Sequence, residues 1–152
     1  MTPRRINQQA EWPFWLKNFI DVYQVLSTDN LELLGSIYHK DVTFLDPIHQ
    51  VNGLDNLQQY FSNLYQNLSQ CDFLITDAIV DGDQAALYWQ MTYTHRSLNG
   101  GREVVVTGTS RIKGKNNKVI HHQDYLDVGA MLYEQLPVIG RVIQWIKAKA
   151  VK

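Results

Sequence analysis

The sequence predicts an α+β fold: N-terminal helices packed in a curved antiparallel sheet, a cone-shaped α+β barrel, with an extra C-terminal helical tail. Two observations carry it. Apolar residues recur at helical spacing as far as Leu68, and from Cys71 onward they alternate with period two. The alternating segments are separated by Asp81-Gly82-Asp83, Asn99-Gly100-Gly101 and Gly114–Asn117, all strong turn signals. Helices grouped ahead of strands place the helices on one face of a sheet.

Each element has its own warrant. Residues 1–11 are polar and read as loose. Pro13 suits the first turn of a helix whose apolar face is Leu16, Phe19, Ile20, Tyr23 and Leu26. Asp29, with Glu32 three residues on, resembles a capping box that starts a second helix, with Leu33, Leu34, Ile37 and Tyr38 inward. Val42–Pro47 is a short extended segment with Phe44 and Asp46 on one face, followed by an Ile48–Asn52 loop. Behind Gly53, the residues Leu54, Leu57, Phe61, Leu64 and Leu68 define a third helix of about four turns, with Tyr60 and Tyr65 beside its apolar face. The strands then run over Cys71–Val80, Ala85–Arg96, Glu103–Lys113 and Lys118–Asp127 as an antiparallel meander. Strands this long twist and curl, which gives the cone an inside. The tail holds a short helix to about Gln135 and a second one opened by Pro137.

Composition sets the limits. A chain of 152 residues with 45% hydrophobic content is one domain with a real core. We read a single domain over 1–152, its core at about 14–128 and the tail at 129–152. A formal net charge of -1 gives no global attraction to nucleic acid. Cys71 is the only cysteine, so intramolecular disulfides and cysteine-based zinc sites are excluded, and a cytoplasmic location is expected. Lys17, Asn18 and Asp21 interrupt the apolar run that a signal peptide needs.

The last strand, Val119 to Asp127, is too polar for ordinary core. Alternation puts His122, Asp124 and Leu126 on one face and His121, Gln123, Tyr125 and Asp127 on the other. Polar groups on a half-buried strand are either hydrogen-bonded to one another or line a cavity.

The element order, Asp41-x-x-Phe44-x-Asp46-Pro47, Gly53 opening a helix, and the terminal Asp124-Tyr125-Leu126-Asp127 make the chain resemble the nuclear transport factor 2-like superfamily, and within it the SnoaL-like proteins. The resemblance covers about residues 14–128. It implies a cone that hosts isomerases, dehydratases, cyclases or pure binding modules, because fold does not fix function. Asp46 falls where the similar ketosteroid isomerases carry their general base, and Tyr23 matches their oxyanion-donating tyrosine if one residue is deleted before Asp29. The second, protonated acid of those enzymes would fall on about Gly108, so the resemblance implies no efficient ketosteroid isomerase.

The candidate catalytic residues are therefore Asp46, His122, Asp124 and Tyr23, with no cofactor and no metal. His122 and Asp124, about 7 Å apart by strand rise, are expected to couple through a water. The opposing reading of Asp46 is a turn cap bonded to nearby backbone N–H groups, and that of the His–Asp pair is a satisfied structural network. A small apolar molecule is the expected partner. Its wall would be Phe44, Tyr60, Trp89, Met91, Tyr93, His95, Gly108, Ser110 and Leu126, with Gly108 withdrawing wall volume so that a flat ligand fits. His49 and Asn52 are placed at the mouth. An acid/base isomerase, cyclase or dehydratase is weighed against a binding module or a homodimeric interaction module with a filled cone. A homodimer is expected on the open outer sheet face. In the tail, a lid or packing role is preferred to a membrane contact, because the charges are few.

Overall fold

The computed structural model describes residues 12–151. The loose stretch read at residues 1–11 lies outside them. α1 (Phe14–Val25) starts one residue after Pro13, whose carbonyl accepts from the N–H groups of Leu16 and Lys17. Trp15, Leu16, Phe19, Ile20, Val22 and Tyr23 form its buried side. A 3₁₀ turn (Leu31–Leu33) and a single helical turn, α2 (Leu34–Ile37), follow. The expected capping box at Asp29 does not form. Asn30 occupies the cap position, and its side chain closes the end of α1, accepting from Ser27 N–H and donating to the Val25 carbonyl.

β1 (Tyr38–Leu45) is longer than the expected segment and already includes Tyr38, read from the sequence as helical. β2 (Gln50–Asn52) lies within the stretch read as a loop. α3 (Leu54–Tyr65) buries Leu57, Phe61 and Tyr65, and Gly53 before it has φ of 85°, a left-handed conformation that suits glycine. β3 (Leu68–Asp81), β4 (Gln84–His95), β5 (Val104–Lys115) and β6 (Lys118–Leu126) form the meander within a few residues of the expected bounds. α4 (Val128–Met131), a 3₁₀ turn (Tyr133–Gln135) and α5 (Pro137–Ala150) complete the described chain.

The six strands lie in the order β2-β1-β6-β5-β4-β3. β1 runs parallel to β6 while every other pairing is antiparallel, so the sheet is mixed rather than purely antiparallel. It is curved and unclosed. Irregularities in pairing between Ile75 and Asp77 on β3, and between Lys113 and Gly114 on β5, add local twist to the curl. α1, α2 and α3 fill the concave side, where Leu16, Phe19, Leu34, Ile37, Leu57, Leu87 and Ile112 are all fully buried.

Candidate functional site

Register builds the site. Pairing of β5 with β6 sets Ser110 opposite Asp124 and Ile112 opposite His122, and pairing of β1 with β6 sets Phe44 opposite His122. Pairing of β4 with β5 sets Leu87 opposite Ser110 and Trp89 opposite Gly108. These side chains share the concave face, so a polar row crosses an otherwise apolar floor.

That row is one continuous hydrogen-bond chain. Tyr23 Oη is 2.5 Å from Tyr38 Oη, and Tyr38 Oη is 2.6 Å from His122 Nδ1. His122 Nε2 is 2.6 Å from Asp124 Oδ1, which also accepts from Ser110 Oγ at 2.5 Å, and Ser110 in turn accepts from Trp89 Nε1 at 2.8 Å. His122 and Asp124 thus touch directly, without the expected bridging water. Strand rise sets the spacing of their backbones, but the two side chains lean together. A carboxylate oxygen accepts, so the tautomer that satisfies the row carries hydrogen on His122 Nε2; in it Nδ1 accepts from Tyr38, which in turn accepts from Tyr23. Donors from both ends converge on Asp124. Phe19, Tyr38 and Phe44 pack around the His122 ring, whose side chain is 3% exposed. Burial, with the nearby Asp124 charge adding to it, holds the Tyr23 and Tyr38 hydroxyls far above the ordinary tyrosine range, so both remain neutral donors.

Both protein bonds to Asp124 fall on Oδ1. Oδ2 has no partner among the described residues, and Asp124 lines a cavity of about 360 Å³ between helices and sheet. That volume suits a small organic molecule. Its wall includes Phe19, Phe44, Phe61, Phe73, Leu87, Trp89, Met91 and Leu126, with Met131 and Leu132 from the tail. Tyr93 Oη donates to the Met131 carbonyl, tying α4 to β4 at the cavity edge.

Asp46 lies on the same wall, held in its own loop. Oδ1 accepts from the N–H groups of Ile48 and His49, each at 2.7 Å, and Oδ2 accepts from Tyr60 Oη. The turn-cap reading describes these bonds; three of its acceptor positions are spent on them. Asp46 and Asp124 share no hydrogen bond.

The structure gathers Asp46, His122, Asp124, Tyr23, Phe44, Tyr60, Trp89, Met91, Tyr93, His95, Ser110 and Leu126 around this single cavity, with His49 among them. Asn52 is exposed and does not line it. Gly108 lies apart as well. The Trp89 indole covers it, so the volume a side chain would occupy is filled by Trp89 rather than open to a ligand.

Sequence reasoning missed two residues. Tyr38 reads as helical from the sequence, and nothing local marks its pairing with His122, 84 residues away. Tyr65, placed by the sequence beside the apolar face of α3, is itself buried and lines the cavity; its hydroxyl has no oxygen or nitrogen partner among the described residues and lies against the Cys71 thiol, which perturbs it. Burial pushes the Cys71 thiol up to about 11. Among the described residues no group of three His, Cys, Asp or Glu side chains is placed to hold a metal ion.

Comparison with known proteins agrees with this architecture. A candidate SnoaL-like polyketide cyclase from Jannaschia sp. CCS1 superposes with a TM-score of 0.67 at 12% identity, covering 78% of this chain and 89% of its own. A protein with a ketosteroid isomerase-like fold from Catenulispora acidiphila, solved with trimethylamine, gives 0.70 at 16% identity, covering 82% and 95%. TerC, co-crystallised with polyporic acid, gives 0.69 at 16% identity, covering 78% and 95%. At such identities the likeness shows the nuclear transport factor 2-like fold alone. No protein of curated function matches the chain. The model of the SnoaL-like domain matches residues 19–122, more than half of the chain, and the protein belongs to that family.

Proposed function

We propose that the protein binds a small, largely apolar molecule bearing a carbonyl group and performs cofactor-independent proton transfer on it, as an isomerase, cyclase or dehydratase would. One observation carries the reading: Asp124 lines an apolar cavity, and its Oδ2 has no partner among the described residues while Oδ1 is held by His122 and Ser110. Asp124 then replaces Asp46 as the leading base, because Asp46 spends its acceptors on the Ile48-His49 backbone and Tyr60.

In this reading Asp124 Oδ2 takes a proton from a carbon next to the carbonyl, the electron pair moves onto the carbonyl oxygen, and the proton returns at a second atom. His122 and Ser110 fix the carboxylate through their bonds to Oδ1. TerC, with the same fold, was crystallised with polyporic acid, which is in keeping with an organic ligand here. The test is extraction of bound small molecules from purified protein, followed by turnover assays with Asp124→Asn and Asp46→Asn. Loss of turnover in Asp124→Asn with binding retained is expected. Full activity in Asp124→Asn overturns the assignment.

A binding module is the second reading, favoured by a polar chain that is already satisfied from Tyr23 to Trp89. In that case a bound molecule is retained by both variants and neither substitution changes any chemistry. We also propose a homodimer through the outer sheet face, where Tyr88 and Tyr125 are exposed on either side of Thr109. Sedimentation of Tyr125→Lys as a monomer beside a wild-type dimer tests it; a wild-type monomer removes it.

A further inference from the structure

α5 is an amphipathic helix mounted in reverse. Its polar side faces the protein: Gly140 is buried against the Glu134 backbone, Gln144 and Lys147 bond the Glu134 carboxylate, and Lys147 also reaches Asp127. Its apolar side faces out. Val138, Ile139, Val142, Trp145 and Ile146 fall on one arc at helical spacing, and all are exposed, Val138 at 75% and Trp145 at 59%. The lid expected of the tail is thus confined to Met131 and Leu132, which line the cavity; α5 does not.

Charge selects what covers this arc. Residues 137–150 include Arg141, Lys147 and Lys149 and no acidic residue. Lys149 Nζ stands 4.6 Å from the Trp145 ring centroid, a cation inside the apolar arc with its stem along an aromatic. A second α5 would set basic residues against basic ones. An anionic lipid surface instead offers negative headgroups at the level of Arg141 and Lys149, and acyl chains beneath for the apolar side chains. No helix of the described residues is long and apolar enough to cross a membrane. A helix of 14 residues, about 21 Å, fits the plane of the interface.

We propose that α5 docks the protein on an anionic phospholipid surface, with Val138, Val142, Trp145 and Ile146 entering the acyl boundary and Arg141 and Lys149 at the headgroups. The inference stands independently of what the cavity holds. The test is co-sedimentation of the full chain with vesicles of phosphatidylcholine alone and of equal parts phosphatidylcholine and phosphatidylglycerol. Binding to the mixed vesicles that weakens with salt is expected. It should be at least about tenfold weaker for the Arg141→Glu/Lys149→Glu double variant, and lost for Trp145→Ser/Ile146→Ser. Every changed side chain is exposed, so both variants should melt like the wild type. No binding to either vesicle, or equal binding by the charge-reversed variant, overturns the proposal. So does a dimer that Trp145→Ser/Ile146→Ser dissociates in the absence of lipid binding, which assigns the arc to a second copy.

Discussion

The Trp89 indole lies so close over Gly108 that a methyl group built on the glycine would stand 2.4 Å from Trp89 Cη2. The two residues face each other across β4 and β5, and the indole is pinned by its bond to Ser110. Gly108→Ala must therefore displace the ring or the strand. We expect a loss of about 1–3 kcal/mol on urea unfolding, the usual cost of overpacking. A variant as stable as the wild type would show that the indole has room to shift.

Tyr38→Phe and Tyr23→Phe should differ in a definite order. Removing the Tyr38 hydroxyl leaves His122 Nδ1 buried without a donor, which costs about 1–3 kcal/mol. Removing the Tyr23 hydroxyl leaves Tyr38 still donating to His122, so about 0.5–1.5 kcal/mol is expected. Denaturant midpoints of the two variants decide it, and a reversed order would mean that the donors run the other way along the chain.

Stability should fall in alkali. Burial raises Cys71 from its ordinary 9.0 to about 11 and lifts Tyr23, Tyr38 and Tyr65 above their ordinary 10.0. Each group is held neutral in the folded chain, while the unfolded chain releases its proton at the ordinary value. The stabilisation is therefore complete below about pH 9 and is lost as pH rises, first through about 11 for Cys71 and then through the raised values of the buried tyrosines. Thermal melts should be level from pH 8 to about pH 9 and then decline towards pH 11, with a shallower onset in Cys71→Ala. A flat profile would mean that these groups are solvated.

A 3-keto-Δ5 steroid should be turned over poorly. Tyr23 is spent on Tyr38, and no acid occupies position 108, so the paired oxyanion donors of that chemistry are missing. One lost donor corresponds to roughly 2.7–4 kcal/mol of transition-state stabilisation. Turnover at rates typical of good isomerases would overturn the expectation.

Local order was legible in the sequence and long-range order was not. The four meander strands follow from period two and glycine-rich turns, and the shared face of His122 and Asp124 follows from alternation alone. Their direct contact does not, because side-chain lean is set by packing. The parallel pairing of β1 with β6 has no local mark, so the sequence alone reads Tyr38 as helical and the sheet as purely antiparallel. Gly108 shows the same limit: a missing side chain reads equally as open space or as space that another side chain fills. Here it is Trp89 that fills it.

The sheet order also governs how the chain comes into being. β6 lies between β1 and β5, yet it is the last strand to leave the ribosome. Until it arrives, β1 and β5 each present an open edge, the condition under which strands pair with the wrong chain. Tyr38 waits for His122 across most of the polypeptide, a separation that slows folding by loop-closure entropy. A nascent chain stalled before Lys118 should therefore be a substrate for chaperones, whereas one released after Leu126 has every strand it needs to close the sheet.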